Sequence, residues 1–176
     1  MAVSNRRANV LDTAVLAWLH VFSAIGWLGG GIMFAFVIGP ALETLSPASS
    51  GEFLVKVVPR VIRFFQIAAG ATVLFGLLFL YNFSNGDFGI LSFSTHFGTE
   101  LTIGASAGLL AFLISEFVAV PPQMKAVKMI KDMLASGQHQ PPADFQKTLK
   151  RAKNTAILTV VLLIISSVFM VASGFY

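Results

Sequence analysis

Four long segments with almost no charged residues constrain the fold of this 176-residue chain more than any other feature. They cover residues 13–42, 64–86, 101–124 and 154–176, and a single glutamate, Glu116, interrupts the third. Each segment exceeds the roughly 20 residues that an α-helix needs to cross about 30 Å of hydrocarbon. The mean hydropathy of +0.80 agrees with this interpretation. The pattern predicts an all-α integral membrane protein with four transmembrane helices.

A β-barrel and a signal peptide both fit these segments poorly. Strands of a membrane β-barrel are about 10 residues long and alternate polar with apolar side chains, which none of these segments does. Arg6 and Arg7 precede the first segment, and a signal peptide also has basic residues before its apolar core. The apolar run of the first segment, however, is much longer than such a core. We therefore expect a retained first helix and one domain, residues 1–176. Short connections between the helices favour an up-down four-helix bundle.

The chain contains no cysteine, which excludes disulfides, thiolate-bound iron–sulfur clusters and cysteine-based zinc sites. A metal must therefore bind histidine, methionine, carboxylate or backbone oxygen. The net charge of +4 does not predict a nucleic-acid partner, because the placement of the charges along a membrane protein matters more than their sum.

Ten of the twelve basic residues lie in two connections, between helices 1 and 2 and between helices 3 and 4; only Arg6 and Arg7 lie at the opposite end. The positive-inside rule then places both connections in the cytoplasm and both termini outside the plasma membrane. Arg60 and Arg63 would enter helix 2 near the inner surface, level with Glu116. We expect this group to serve structure or lipid contact, with a charge pair lowering the cost of the carboxylate.

The connection between helices 3 and 4 predicts a cytoplasmic helical extension. Apolar residues with helical spacing would form one face of this extension: Met124, Val127, Ile130 and Leu134. Gly137 and two prolines then break the helix, and Asp144 is a candidate N-cap for helix 4. His139, within this break, is expected to be solvated.

His20 is the residue most out of place, about eight residues and roughly 12 Å into the first helix. Polar residues at such depth are costly and usually face the bundle interior with a partner or cofactor. His20 would either donate a hydrogen bond to a carbonyl of a neighbouring helix or bind a metal, and we favour the second. Trp27 projects from the same face two turns deeper, as the floor of a cofactor pocket or as core filler.

Glycines spaced four residues apart allow close approach of membrane helices. For Gly104 and Gly108 the spacing predicts packing within the bundle or a dimer. For Gly26, Gly29 and Gly30, which lie beside His20 in sequence, packing and space for a flat cofactor are equally compatible with the pattern.

The stretch His20 to Gly30, H-x6-W-x-G-G, resembles the first transmembrane helix of the copper resistance protein D family and of the related HemJ-type protoporphyrinogen oxidases. Residues 57–79, with Pro-Arg-x-x-Arg at the start, are similar to the second helix of the copper-resistance proteins, and residues 95–110 resemble the third more weakly. The resemblance implies haem b as the cofactor. Those families tend to have a lysine in the third helix, whereas this chain has Gly104 or a neighbouring residue there, none of them basic, which weakens transfer of the oxidase activity.

Axial ligation of haem iron by His20 leaves the second ligand open. His96 is the only other histidine on the outer side, and imidazole is the commoner partner, so we rank it ahead of Met170. Met170 lies about six residues, or roughly 9 Å, from the outer end of helix 4, which is closer to the depth of His20. An open sixth position would suit gas binding or an oxidase-like reaction.

The sequence leaves two alternative functions open. His96 and Glu100 have the i, i+4 spacing at which helical side chains share a metal, and with His20 they would form a copper transport site. The chain would otherwise be a non-catalytic subunit of a larger membrane complex. For each of these functions we expect lipid contacts and a homodimer or a larger assembly. Among the functions, we rank electron transfer or another redox reaction at haem b first.

Overall fold

The computed structural model describes residues 2–137, 140 and 142–175; of residues 2–11 only the backbone is described. These residues form helices joined by short turns and loops, without strands. The α-helices are α1 (Ala2–Met33), α2 (Gly39–Glu43), α3 (Pro47–Lys56), α4 (Val58–Phe83), α5 (His96–Ile114), α6 (Val120–Ala135) and α7 (Phe145–Ser173). Two π-helices, Phe34–Ile38 and Ser115–Ala119, join α1 to α2 and α5 to α6.

Four helical segments are long and apolar enough to cross a membrane: Asp12–Glu43, Val58–Phe83, His96–Ala135 and Phe145–Ser173. These confirm the predicted all-α, four-span membrane bundle and the helical extension after the third span. We call the end of the bundle with the connection from α4 to α5 the outer end, and the end with α3 and α6 the inner end.

The four spans form two hairpins, because α1 packs mainly on α4 and α5 packs mainly on α7. The contact between α5 and α7 is close because glycine removes side-chain bulk from α5. The hydroxyl of Ser166 donates to the carbonyl of Gly104 at 2.7 Å, and a Cβ at Gly108 would lie 2.9 Å from the same hydroxyl. The predicted packing role of Gly104 and Gly108 is thus confirmed within one chain.

Each hairpin begins with a helix that widens into a π-helix just before a proline. The N–H groups of Gly39 and Val120 each bond to the carbonyl five residues earlier. Pro40 and Pro121 follow; neither has an N–H for the carbonyl four residues back, and each proline ring would clash with it. The wider turn accommodates that clash, and both spans are therefore irregular near their inner ends.

The central core contains residues from all four spans: Trp27, Ala68, Ala69, Ala111 and Leu163. Trp27 is only 3% exposed, so its indole fills the middle of the bundle. The other two clusters of buried hydrophobic residues lie toward the inner end. Among the described residues, no such cluster lies on the outer side of Trp27.

The inner extension α6 packs on α3 and α7. Val127 and Ile130 are buried as predicted, but Met124 and Leu134 are exposed, and Ala126 takes their place in the buried face. The buried face follows Ala126, Ile130 and the half-buried Met133, because these residues of α6 pack with Phe145 at the start of α7. Asp144 occupies the predicted N-cap position of α7, but its side chain makes no capping hydrogen bond.

The connection at the outer end turns sharply and then leads into α5. Asn85 and Gly86 both have positive φ, at 53° and 82°, so the chain reverses direction there. The side chain of Thr95 caps α5 by accepting a hydrogen bond from the N–H of Gly98 at 3.0 Å. This cap fixes where α5 begins, and hence the depth of every residue along it.

Candidate functional site

His20 packs against a notch in α4 that Thr72 and Gly76 form one turn apart. Its Nδ1 lies 2.8 Å from the carbonyl oxygen of Thr72. A Cβ at Gly76 would lie 2.8 Å from both Nδ1 and Cε1 of the imidazole, so glycine alone leaves room for the ring. The histidine is therefore held by a hydrogen bond and by the shape of the neighbouring helix.

This hydrogen bond also decides the arrangement of protons on the ring. A carbonyl oxygen only accepts, so Nδ1 must carry the hydrogen and donate it. In the neutral ring Nε2 then has the free lone pair, which is the arrangement that metal-binding histidines adopt when a carbonyl orients them. No hydrogen bond to Nε2 is seen within the described part of the chain. The contact thus matches a structural role for His20 and also leaves a nitrogen available for a ligand.

Phenylalanine rings of α4 fill the space beside two of the glycines near His20. A Cβ at Gly30 would lie 2.7 Å from the ring of Phe65, and one at Gly26 would lie 3.5 Å from the ring of Phe64. A Cβ at Gly29 would meet no atom within 4 Å. For Gly26 and Gly30 this favours helix packing over the alternative of space for a cofactor.

The central core gives the relative depth of the candidate ligands. Trp27, Ala111 and Leu163 lie in that core on α1, α5 and α7. His20 lies seven residues closer to the outer end than Trp27. Gly104 and Met170 likewise lie seven residues closer to it than Ala111 and Leu163, respectively. These three are therefore at the same level. Met170 faces α5, since its Cγ would lie 3.0 Å from a Cβ at Gly104.

His96 begins α5 and is exposed. It lies eight residues, or roughly 12 Å, further toward the outer end than Gly104, and hence than His20. His96 therefore lies far from the level of His20, and its pairing with His20, which the sequence ranks above that of Met170, remains a prediction.

Two buried polar atoms of α5 lack hydrogen-bond partners among the described residues, and both belong to the outer half: Oε2 of Glu100 and Oγ1 of Thr102. Buried polar groups in folded proteins are normally hydrogen-bonded, because leaving one unpaired costs about 1–3 kcal/mol. A third such atom, Oε1 of Glu116, lies toward the inner end, so unpaired polar atoms occur in both halves of the third span.

No group of three or more histidine, aspartate or glutamate residues that could hold a metal ion occurs in the described part of the chain. His20, His96 and Glu100 therefore do not assemble into the three-ligand copper site that the sequence left open. His139, for which a solvated position is expected, lies outside the described residues.

Glu116 pairs with an amide and not with an arginine. Its Oε2 accepts a hydrogen bond from Nε2 of Gln66 at 2.8 Å, while Arg60 donates to the backbone carbonyl of Lys56. The predicted charge pair with Arg60 or Arg63 is absent from the described ion pairs. The amide provides a neutral donor, so no second charge is buried with the carboxylate.

Sequence reasoning did not identify Thr72 and Gly76, which position the imidazole. Their signal is weak but present: a threonine and a glycine four residues apart lie on one face of an apolar helix, where a polar side chain of a neighbouring helix can approach the backbone. Comparison with known proteins adds nothing to this assignment, because no family model, curated protein or solved structure matches the chain.

Proposed function

We propose that the protein is a b-type haem protein of the cytoplasmic membrane, with Nε2 of His20 as the axial ligand of the iron. The observation that carries the proposal is the hydrogen bond from Nδ1 of His20 to the carbonyl of Thr72, inside an apolar span. It fixes both the ring orientation and the nitrogen that a metal would meet. Bound haem would supply a one-electron redox centre, which suits electron transfer or a related reaction.

The residues of the outer half fit such a group in two respects. Among the described residues, no cluster of buried hydrophobic side chains lies on the outer side of Trp27. The unpartnered oxygens of Glu100 and Thr102 could also form hydrogen bonds with the polar groups at the edge of a ligand bound between the hairpins.

The positions of His96 and Met170 favour one axial protein ligand. His96 is roughly 12 Å from the level of His20, and Met170, although level with His20, is packed against Gly104 within the hairpin of α5 and α7. We therefore propose an open sixth position, which would suit binding of a small gas or an oxidase-like reaction. Electron transfer without ligand exchange would instead require a second axial residue.

The proposal is tested by absorption spectroscopy of the purified protein. We expect a Soret band that shifts on dithionite reduction, shifts again with carbon monoxide, and is lost in His20→Ala. His96→Ala and Met170→Leu serve as matched controls and should keep the spectrum of the unmodified protein. A colourless protein that binds copper stoichiometrically would overturn the haem proposal in favour of transport. A protein without haem or metal would overturn it in favour of the subunit function.

We also propose that the inner end faces the cytoplasm, because ten of the twelve basic residues lie in the connections at that end. The chain has no native cysteine, so single introduced cysteines report accessibility without background. With an impermeant maleimide on intact cells, we expect Ser94→Cys to be labelled and Ser136→Cys to be labelled only after lysis. The opposite pattern would invert the topology and would place His20 in the cytoplasmic half of the membrane.

A further inference from the structure

A cleft occupies the inner half of the bundle, on the opposite side of Trp27 from His20. All four spans contribute to it, and it contains about 620 Å³ of space between atoms, including the part that opens to the surface. Binding sites for small organic molecules are mainly apolar with a few polar groups. The composition of the cleft matches that description.

Aromatic side chains from α1, α4 and the first π-helix form one side of the cleft. The rings of Phe34 and Phe65 are 6.4 Å apart and perpendicular, and Trp27 closes the cleft toward the outer half. Flat rings gain from stacked or edge-to-face contact with such side chains. The aromatic side therefore favours a planar ligand over a flexible chain.

Polar side chains from the third span form the other side. Ser115 and Gln123 line the cleft, and no hydrogen bond from either side chain is found within the described part of the protein. A third polar residue, Thr159, is already satisfied because its hydroxyl donates to the carbonyl of Thr155 at 3.0 Å. The cleft thus offers a hydroxyl and a primary amide for bonds to a ligand.

The local backbone distinguishes this cleft from an ordinary packing defect. Both π-helices line it, one through Phe34 and the other through Ser115 and Ala119. π-Helices inside α-helices occur frequently at functional sites. The prolines that follow explain why the turns widen, and the widened turns place Phe34 and Ser115 in the lining of the cleft.

We propose that this cleft binds a lipid-soluble quinone. Its flat ring would lie against Trp27, Phe34 and Phe65, and its carbonyl oxygens would accept hydrogen bonds from Ser115 and Gln123. A lipid acyl chain would leave both of these side chains unpaired, and a polar metabolite would not match the largely apolar lining. The proposal concerns binding alone and does not depend on haem at His20.

Tryptophan fluorescence provides a direct test, because the chain has two tryptophans and only Trp27 lines the cleft. Trp18 is 63% exposed on α1 and is removed by Trp18→Phe. In that background, prepared without added haem, we expect ubiquinone-1 to quench Trp27 with a saturable dependence on concentration. In Trp27→Phe, the remaining Trp18 should show only the linear quenching that follows from partition into the micelle.

The polar side of the cleft is tested in the same background. The double variant Ser115→Ala with Gln123→Leu should weaken ubiquinone-1 binding about tenfold, the loss expected for two net hydrogen bonds. Thr159→Val, also in the cleft, should leave affinity within about twofold. Gel filtration of each variant separates misfolding from loss of binding, and the two single variants provide a second measurement.

Two outcomes would overturn the proposal. One is linear quenching of equal slope for Trp27 and Trp18, which would show partition without a site. The other is saturable quenching by a brominated fatty acid that competes with ubiquinone-1, which would assign the cleft to a lipid chain. A protein that shows no haem spectrum would leave both measurements unchanged, so failure of the haem proposal is distinguishable.

Discussion

Gly76→Val is expected to lower haem affinity about 10- to 100-fold, although glycine contributes no ligand atom. A Cβ at position 76 would lie 2.8 Å from both Nδ1 and Cε1 of His20. The imidazole must then leave the notch and lose its 2.8 Å hydrogen bond to the Thr72 carbonyl, so Nε2 no longer has a fixed direction. The measurement is a haem titration followed by the Soret band.

Gly70→Val is the matched control on the same helix, since a Cβ there would meet no atom within 4 Å. It should bind haem as the unmodified protein does. If Gly76→Val retained full affinity while circular dichroism showed the helices intact, the hydrogen bond to Thr72 would be a packing contact only. That result would remove the observation on which the haem proposal rests.

The number, order and approximate limits of the membrane spans could be predicted from the sequence. Length and lack of charge are sufficient for this, because lipid requires every backbone group to be paired within the helix. The extension after the third span was also predictable, since apolar residues continue there at helical spacing. The π-helices were not predicted, although Pro40 and Pro121 mark both positions.

The candidate site was predictable only in part. The depth of His20 singled it out, but its partner is a backbone carbonyl, and every residue of every apolar helix offers one. The cleft was not predicted either, because Ser115 and Gln123 become informative only when their lack of partners is known. Likewise, Gln66 could not be chosen over Arg63 as the partner of Glu116 from charge alone.

Trp27 separates the two proposed sites. His20 lies seven residues, or roughly 10 Å, toward the outer end, and the cleft begins immediately on the inner side of the indole. Haem and quinone at these positions would be close enough to exchange electrons through one aromatic side chain. Their joint occupancy would give a membrane b-type haem protein a lipid-soluble redox partner.

Gly104→Val is expected to destabilise the bundle more than Gly30→Val, although a Cβ at Gly30 would make the shorter contact. A Cβ at Gly30 would lie 2.7 Å from a ring carbon of Phe65, but that ring can rotate away. A Cβ at Gly104 would lie 3.1 Å from the backbone nitrogen of Met170 and 3.2 Å from the carbonyl oxygen of Ser166. Backbone atoms of a helix cannot rotate away, so α5 and α7 must separate.

Separation of α5 from α7 would also break the 2.7 Å hydrogen bond from Ser166 to the carbonyl of Gly104. Overpacking of this kind costs about 1–3 kcal/mol, and the lost hydrogen bond adds to it. The free energy of unfolding in mixed micelles should therefore fall by at least this amount in Gly104→Val. It should fall less in Gly30→Val and remain unchanged in Gly29→Val, where a Cβ meets no atom within 4 Å. A larger loss at Gly30 than at Gly104 would place the principal helix contact between α1 and α4, and not between α5 and α7.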